Sequence, residues 1–131
     1  MANGAPLDTI SPFFIVADLT KAVEYYNEKL GFKTDLLVPD KKPFFGIVRR
    51  DGVRILLKEI GPDVHPVPNH ARHEWARWDA LIMCQDPDAV FSEFQACGIP
   101  FHEPIEDTED GLRAFEIKDK DGYVLCFACP L

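Results

Sequence analysis

Two stretches of the chain decide the fold: residues 15–32, IVADLTKAVEYYNEKLGF, and residues 82–99, IMCQDPDAVFSEFQACGI. Each contains an apolar run that predicts a strand, an aspartate that predicts a helix cap, an amphipathic helix, and a glycine that predicts the helix end. A constant offset of 67 residues relates Ala22 to Ala89, Val23 to Val90, Gly31 to Gly98 and Phe32 to Ile99. An internal repeat is a stronger indication of architecture than any single motif.

A predicted hairpin follows each copy. Residues 44–57, FFGIVRRDGVRILL, and residues 112–127, LRAFEIKDKDGYVLCF, each contain two apolar runs joined by Asp-Gly. Asp-Gly favours a tight turn because glycine accepts a positive φ. The sequence therefore predicts an α+β protein made of two βαβββ modules. We expect one domain over residues 1–131, with the first module at about 8–60, a linker at 61–77 and the second module at about 78–130, since one module alone has too small a core.

Composition excludes several classes of function. The net charge of −8 argues against nucleic-acid binding, which needs a basic surface. No apolar stretch is long enough to span a membrane. Residues 1 to about 8 lack the basic and apolar regions of a signal peptide, so we expect a loose leader and a cytoplasmic protein. The cysteines, expected to be buried and inert thiols, are Cys84, Cys97, Cys126 and Cys129.

The linker contains NHARHEWARW at residues 69–78, after a proline-rich run. We expect one short helical turn, capped by Asn69. Two interpretations of its tryptophans, Trp75 and Trp78, stay open: contact with a ligand, or filling of a module or dimer interface. Three histidines, His65, His70 and His73, have no obvious further metal ligand beside them. We interpret them as solvated loop side chains, and their role stays open.

Several of these motifs resemble the vicinal-oxygen-chelate superfamily, which includes glyoxalases, bleomycin resistance proteins and dioxygenases. The opening stretch, with Val-x-Asp after the first strand and Leu-Gly-Phe at residues 30–32, resembles the start of those proteins. Residues 115–123, with Asp-x-Asp-Gly, resemble their closing signature. Residues 44–57 are most similar to the bleomycin-resistance branch. The resemblance implies sheets that curl around a cleft.

Enzymes of that superfamily hold one divalent metal, with one ligand from each of four strands. The resemblance places those positions at Ser11, Leu56, Asp79 and Cys126, and a slip of one residue on the fifth strand would substitute Trp78. A hard divalent ion prefers carboxylates and imidazoles, which a serine and a leucine do not supply. We therefore predict no metal and no cofactor.

The antibiotic-binding branch has no metal and binds its ligand in clefts at a dimer interface. Alternation of side chains along the strands predicts a largely apolar cleft with few polar anchors, which is typical of small-molecule sites. Asp79 is expected to meet a ligand amine, or to pair with Arg113 or Arg54. The predicted ligand-binding residues are Ser11, Phe13, Phe44, Arg54, Leu56, Trp75, Trp78, Asp79, Arg113 and Cys126.

The leading hypothesis is a homodimeric, metal-free protein that sequesters an aromatic or cationic compound, such as an antibiotic. No catalytic residue is predicted, and neither nucleic acid nor membrane is an expected partner. Two alternatives remain: a metal-dependent glyoxalase-like lyase or dioxygenase with atypical ligands, and a dimeric module that carries or senses a metabolite. Fold alone does not decide among them.

Overall fold

The chain forms two four-stranded sheets, each with one long helix. The computed structural model describes residues 3–131, so Met1 and Ala2 of the predicted leader lie outside it. The first module comprises β1 (Phe13–Ile15), α1 (Leu19–Glu28), β2 (Lys33–Val38), β3 (Phe45–Arg50) and β4 (Val53–Lys58). After the short α2 (Asn69–Arg72), the second comprises β5 (Ala80–Met83), α3 (Pro87–Ala96), β6 (Glu103–Asp107), β7 (Leu112–Lys118) and β8 (Val124–Pro130).

The two sheets share one topology, with strand orders β1-β4-β3-β2 and β5-β8-β7-β6. The first and last strand of each module run parallel, and the other neighbours are antiparallel. The antiparallel edge strand of each sheet carries an irregularity, between Thr34 and Leu36 in β2 and between Glu103 and Glu106 in β6. The predicted α+β class with two βαβββ modules is confirmed, and the sheets do not close into a barrel.

Each long helix begins at the predicted aspartate. Asp18 accepts a hydrogen bond from the backbone N–H of Lys21 at 3.0 Å, and Asp86 accepts one from Ala89 at 3.1 Å. Proline follows Asp86 at the first helical position, where its missing N–H costs nothing. These side chains satisfy backbone donors that would otherwise be free at the helix start.

The offset between the repeats is not constant, which corrects the predicted pairing. The two capping aspartates are 68 residues apart, so Tyr26 of α1 corresponds to Phe94 of α3, and Ala22 does not correspond to Ala89. Gly31 and Gly98 remain 67 apart because the second module has one residue fewer after its helix. Both glycines have a positive φ, 76° and 74°, which ends each helix in the left-handed region.

Two further expectations need correction. The short helix α2 is preceded by Pro68, and Asn69 is its first residue rather than its cap. Cys97 caps the end of α3 and is exposed, and of the four thiols only that of Cys126 is fully buried, while Cys84 and Cys129 are half-buried.

A single apolar core lies on the helix side of both sheets. It is shared by the buried side chains Phe14, Val16, Leu19, Tyr26, Leu57, Phe94, Phe115, Leu125 and Phe127. Phe14 of β1 stacks on Tyr123 of the second module with ring centroids 4.2 Å apart. Arg50 of the first module forms a two-pronged ion pair with Glu93 of the second, with both N–O distances 2.8 Å. None of the helices within residues 3–131 is long and apolar enough to cross a membrane.

A buried carboxylate, Asp119, joins the modules at the turn between β7 and β8. Its Oδ2 accepts a hydrogen bond of 2.6 Å from the Tyr26 hydroxyl, and its Oδ1 accepts from the backbone N–H groups of Asp121 and Tyr123 at 2.9 Å each. Burial raises the pKa of Asp119 to about 7, although these hydrogen bonds act in the opposite direction. The same burial and the nearby carboxylate raise the pKa of Tyr26 well above its ordinary value.

Candidate functional site

The faces of the two sheets that point away from the helices carry most of the predicted site residues. In β4, Ile55 and Leu57 are fully buried against the core, whereas Leu56 between them points to the outer face. The strand registers place Phe13 beside Leu56 and Leu81 beside Cys126. The outer faces of β1, β4, β5 and β8 therefore form the floor of the candidate site.

A hollow of about 380 Å³ lies where the segment before β1 and the start of β4 approach β5, and we call it the junction hollow. It is lined by the predicted ligand-binding residues Ser11, Arg54 and Asp79, and also by Leu81. An adjacent hollow of about 400 Å³ is lined in part by Phe13 and again by Asp79. Arg54 is exposed and forms no ion pair within residues 3–131. The junction hollow thus combines apolar walls with one available guanidinium.

Asp79 has a different environment from the one expected. Its Oδ1 accepts a hydrogen bond from the backbone N–H of Asn69, and its Oδ2 accepts one from Val124, both at 2.8 Å. The carboxylate therefore supplies the missing acceptor at the start of α2 and fastens that helix to β8. It pairs with neither Arg54 nor Arg113, so its part in the hollow is to hold the wall in place.

Loss of this carboxylate is expected to destabilise the protein. Asp79→Ala should lower the free energy of unfolding by about 1–2 kcal/mol, because the partly buried backbone N–H of Val124 and the exposed backbone N–H of Asn69 lose their acceptor. Equilibrium denaturant unfolding measures the change, and Asp63→Ala, an exposed aspartate of the same linker, is the control. Equal stability of the two variants would show that Asp79 does not hold the linker.

Arg113 is separated from the other predicted residues. It lies on the helix side of β7 and pairs with Asp88 of α3 at 2.8 Å and with Asp107 at 3.3 Å. The sheet thus lies between its guanidinium and the outer face. Its neighbours Ala114 and Phe115 alternate faces as a strand requires.

Trp78 covers the outer face of the second sheet. Its indole packs on the small buried side chains Ala114, Cys126 and Ala128, and its Nε1–H donates a 3.0 Å hydrogen bond to Glu116. The guanidinium of Arg77 stacks on the indole, 4.6 Å from the ring. Burial, and next the charge of Glu116, raise the pKa of the Cys126 thiol to about 12, so it stays protonated at neutral pH. Of the two interpretations offered for this tryptophan, the structure favours filling.

Trp75 and Phe44 lie at exposed positions outside the junction hollow. Trp75 is 81% exposed and contacts only the edge of the His73 ring among aromatic side chains that the structure describes. Phe44 is 47% exposed, and the ammonium of Lys58 lies 5.2 Å from its ring. They belong to a set of exposed apolar side chains on the outer faces and linker: Phe13, Leu36, Val38, Phe44, Trp75, Leu81 and Met83.

The four positions where metal-dependent relatives would hold an ion do not suit a divalent cation here. Leu56 has no donor atom, Cys126 is a buried protonated thiol, and both oxygens of Asp79 accept backbone hydrogen bonds. Ser11 supplies only a neutral hydroxyl. Within residues 3–131, no group of three or more His, Cys, Asp or Glu side chains is arranged to hold a metal ion.

The sequence interpretation missed Glu116 as a member of the site. Glu116 is 9% exposed and lies on the outer face of β7, beside Cys126. A second hollow of about 490 Å³, which we call the second-module hollow, is lined by Glu116, His70, Arg77 and His102. A charged residue inside the apolar run LRAFEIK was the available signal, because a strand buried on both faces seldom contains a glutamate.

Comparison with known proteins indicates the family. The family model described as Glyoxalase/Bleomycin resistance protein/Dioxygenase superfamily matches residues 7–127. No curated protein matches the chain by sequence. Among solved structures, TioX from Micromonospora sp. ML1 is similar with a TM-score of 0.74 and 19% identity, covering 95% of this chain and 99% of that one.

Two further structures share the fold over almost the whole chain. A glyoxalase-related enzyme from Clostridium phytofermentans gives a TM-score of 0.76 at 18% identity, covering 99% of this chain and 100% of the other. TnmS3, an antibiotic binding protein from Streptomyces sp. CB03234, gives 0.69 at 20% identity, covering 97% and 100%. At such identities the likeness shows the fold, which is found in an enzyme and in a binding protein alike.

Proposed function

The chain belongs to the Glyoxalase/Bleomycin resistance protein/Dioxygenase superfamily, and from this premise we propose that it is a metal-free protein that binds and sequesters a small aromatic or cationic compound, such as an antibiotic. One observation carries the proposal. The metal positions of the superfamily hold Ser11, Leu56, Asp79 and Cys126. Asp79 and Cys126 form structural contacts, Leu56 is apolar and Ser11 offers only a neutral hydroxyl.

The junction hollow is the proposed binding site. Leu81, Val53 and Ile10 offer apolar area, and Arg54 offers a polar anchor. Phe13 offers a flat ring in the adjacent hollow. Sites for small molecules combine a mainly apolar lining with a few polar groups in this way. The likeness to TnmS3, an antibiotic binding protein, supports the same class of activity.

The proposal includes a homodimer in the cytoplasm. Phe13, Leu36, Val38 and Met83 are between 39% and 55% exposed on the outer faces. Apolar side chains as exposed as these are typical of binding interfaces. A second copy placed over these faces would cover them and would deepen the junction hollow.

A thermal-shift screen tests the proposal. The purified protein is heated with a panel of aromatic and cationic natural products, with and without added Zn²⁺, Mn²⁺ and Fe²⁺. A compound at 100 times its Kd should stabilise the fold by about 2.7 kcal/mol and raise Tm by roughly 5–15 °C. Mass spectrometry should show that the bound compound is chemically unchanged. Leu81→Ser should reduce the ligand-induced rise in Tm by at least half.

Leu131→Ser is the matched control, because Leu131 is 70% exposed at the end of the chain and lies outside the junction hollow. It should leave the thermal shift unchanged. The proposal fails if no compound of the panel raises Tm. It also fails if a bound compound is converted at a rate that depends on the added metal and is lost with a chelator.

A further inference from the structure

Two free cysteines, Cys84 and Cys129, lie side by side where β5 and β8 run parallel. The register of the two strands is constant and ends with Met83 opposite Ala128. Cys84 and Cys129 occupy the next position on each strand, and the backbone N–H of Cys84 donates to the carbonyl oxygen of Ala128 at 2.9 Å. Neighbouring strands are about 4.8 Å apart, and the Cα atoms of disulfide-bonded cysteines are usually about 4.4–6.8 Å apart. The backbone spacing at this pair therefore suits a disulfide.

The two thiols point to the same side of the sheet. Side chains alternate along a strand, so Cys84 shares a face with Ile82, and Cys129 shares a face with Phe127. Both Ile82 and Phe127 are buried in the core on the helix side. Cys129 also lies opposite Arg113 of β7, which is on the helix side as well. The two cysteine side chains are therefore neighbours on one face.

Small reagents in solution can reach this pair. Cys84 and Cys129 are both half-buried, in contrast to Cys126, which is fully buried on the opposite face of β8. Cys84 also lines a hollow of about 580 Å³ between the β3–β4 turn and the start of α3. The helix side of the sheet is not the face that the proposed dimer would cover.

The proton affinity of Cys84 reflects the presence of its neighbour. Burial, and next the proximity of Cys129, raise the pKa of the Cys84 thiol above its ordinary value. Two thiolates at this separation would repel one another, so loss of both protons is unfavourable while the sulfur atoms stay unbonded. Formation of an S–S bond removes both protons and leaves neither charge behind.

The strand that such a bond restrains is β5. It has four residues and lies at the edge of the second sheet, with β8 as its one neighbour among the strands of residues 3–131. It carries Leu81, which lines the junction hollow, and it leads directly to Asp86, the cap of α3. A covalent link to β8 therefore fixes one wall of the junction hollow and the start of a helix.

We propose that Cys84 and Cys129 form a reversible disulfide when the protein meets hydrogen peroxide. One thiolate attacks a peroxide oxygen and breaks the O–O bond, which gives a sulfenic acid and one molecule of water. The other thiolate attacks that sulfur, forms the S–S bond and releases the second oxygen as water. The two thiols give up two protons and two electrons, and the peroxide takes them up. In a reducing compartment such a bond is transient and reports oxidation.

Peptide mapping of the complete protein tests the proposal. The reduced protein is treated with hydrogen peroxide, its remaining thiols are blocked with iodoacetamide, and the single-chain band of a denaturing gel is digested without reductant. Cleavage after Glu93 separates Cys84 from Cys97, so mass spectrometry can identify the partner of Cys129. We expect linked peptides that contain Cys84 and Cys129, two hydrogen atoms lighter than the separate peptides together. Dithiothreitol should separate them again.

Substitution of single cysteines identifies the two sulfur atoms. Cys129→Ala should abolish the link, whereas Cys126→Ala, on the other face of the same strand, is the matched control and should keep it. Cys97→Ala, at the exposed end of α3, should keep it too. Peptides linked through Cys97 or Cys126, or oxidation of Cys84 and Cys129 without a link between them, would overturn the proposal. If a variant does not fold, the fragment spectra of the linked peptides from the unmodified protein decide.

The disulfide should also stabilise the fold. It closes the loop of residues 84–129 in the unfolded chain, so the oxidised protein should melt roughly 3–10 °C higher than the reduced protein. Cys129→Ala should show no difference between the two conditions. A linked protein that melts no higher than the reduced protein would overturn the proposal, because the bond would then not suit the native backbone. The measurement needs no ligand, so its result is independent of the compound screen.

Discussion

Asp119→Ala is expected to lower the free energy of unfolding by about 3–5 kcal/mol. The substitution leaves the buried Tyr26 hydroxyl and the backbone N–H groups of Asp121 and Tyr123 without their acceptor. Each unsatisfied buried donor costs about 1–3 kcal/mol. Among single substitutions, a total loss of stability as large as about 3–5 kcal/mol is typical of those that break a buried hydrogen-bond network. Denaturant unfolding followed by circular dichroism measures the change.

The neighbouring Lys120→Ala is the matched control, because Lys120 is exposed in the same turn. It should change the free energy of unfolding by less than about 0.5 kcal/mol. A difference of under about 1 kcal/mol between the two variants would show that the Asp119 bonds do not hold the modules together.

The same group makes stability depend on pH in a defined direction. The folded protein keeps the Asp119 proton up to a pKa of about 7, whereas the unfolded chain releases it near 3.8. Between these values the folded state binds more protons, so the contribution of Asp119 to the free energy of unfolding falls as pH rises from about 4 to 7. Asp119→Asn, which stays neutral, should lose this fall. Parallel pH profiles of the two proteins would contradict the assignment.

Trp78→Ala is the second substitution with a large expected effect, a loss of about 2–4 kcal/mol. It removes the indole that packs on Ala114, Cys126 and Ala128, and it leaves Glu116 as a buried carboxylate without a donor. The thiol of Cys126 should become reactive toward a small maleimide, because its cover is gone. Thermal denaturation and the rate of thiol labelling measure the two effects.

Trp75→Ala provides a control with the same change of side chain. Trp75 is 81% exposed, so its loss should alter the free energy of unfolding by less than about 0.5 kcal/mol and leave Cys126 unlabelled. Similar losses in both variants would mean that Trp78 does not seal the second sheet. Unchanged labelling of Cys126 in Trp78→Ala would mean the same.

The fold was predictable because its signals are local. Aspartate before an apolar helix, proline at a first helical position and glycine after a helix each satisfy or replace a particular backbone group, and α3 shows all three. Asp-Gly likewise marked both hairpins. The register error of one residue arose after the helix, where Gly98 follows the cap directly and no side-chain pattern records the deletion.

The site was less predictable because its contacts join residues distant in the chain. Asp79 accepts from Asn69 and Val124, and neither partner is apparent from spacing along the sequence. Arg113 was included in the predicted site because its charge suits Asp79. The alternation of side chains along β7 instead puts Arg113 on the helix side, where it pairs with Asp88. The sequence identified Trp78 as a candidate contact residue. Its packing role became visible only from the small side chains that the folded chain brings beneath its indole.

The aromatic stack between Phe14 and Tyr123 has a consequence for how the molecule comes apart. That stack is part of one apolar core that both modules share. If one module unfolds, the core side chains of the other therefore become exposed to water. Heating or denaturant should therefore show one all-or-none transition, with no populated species in which half the chain is ordered. An ancestral half-length chain of this design would have needed a copy of itself as a partner before the two were fused.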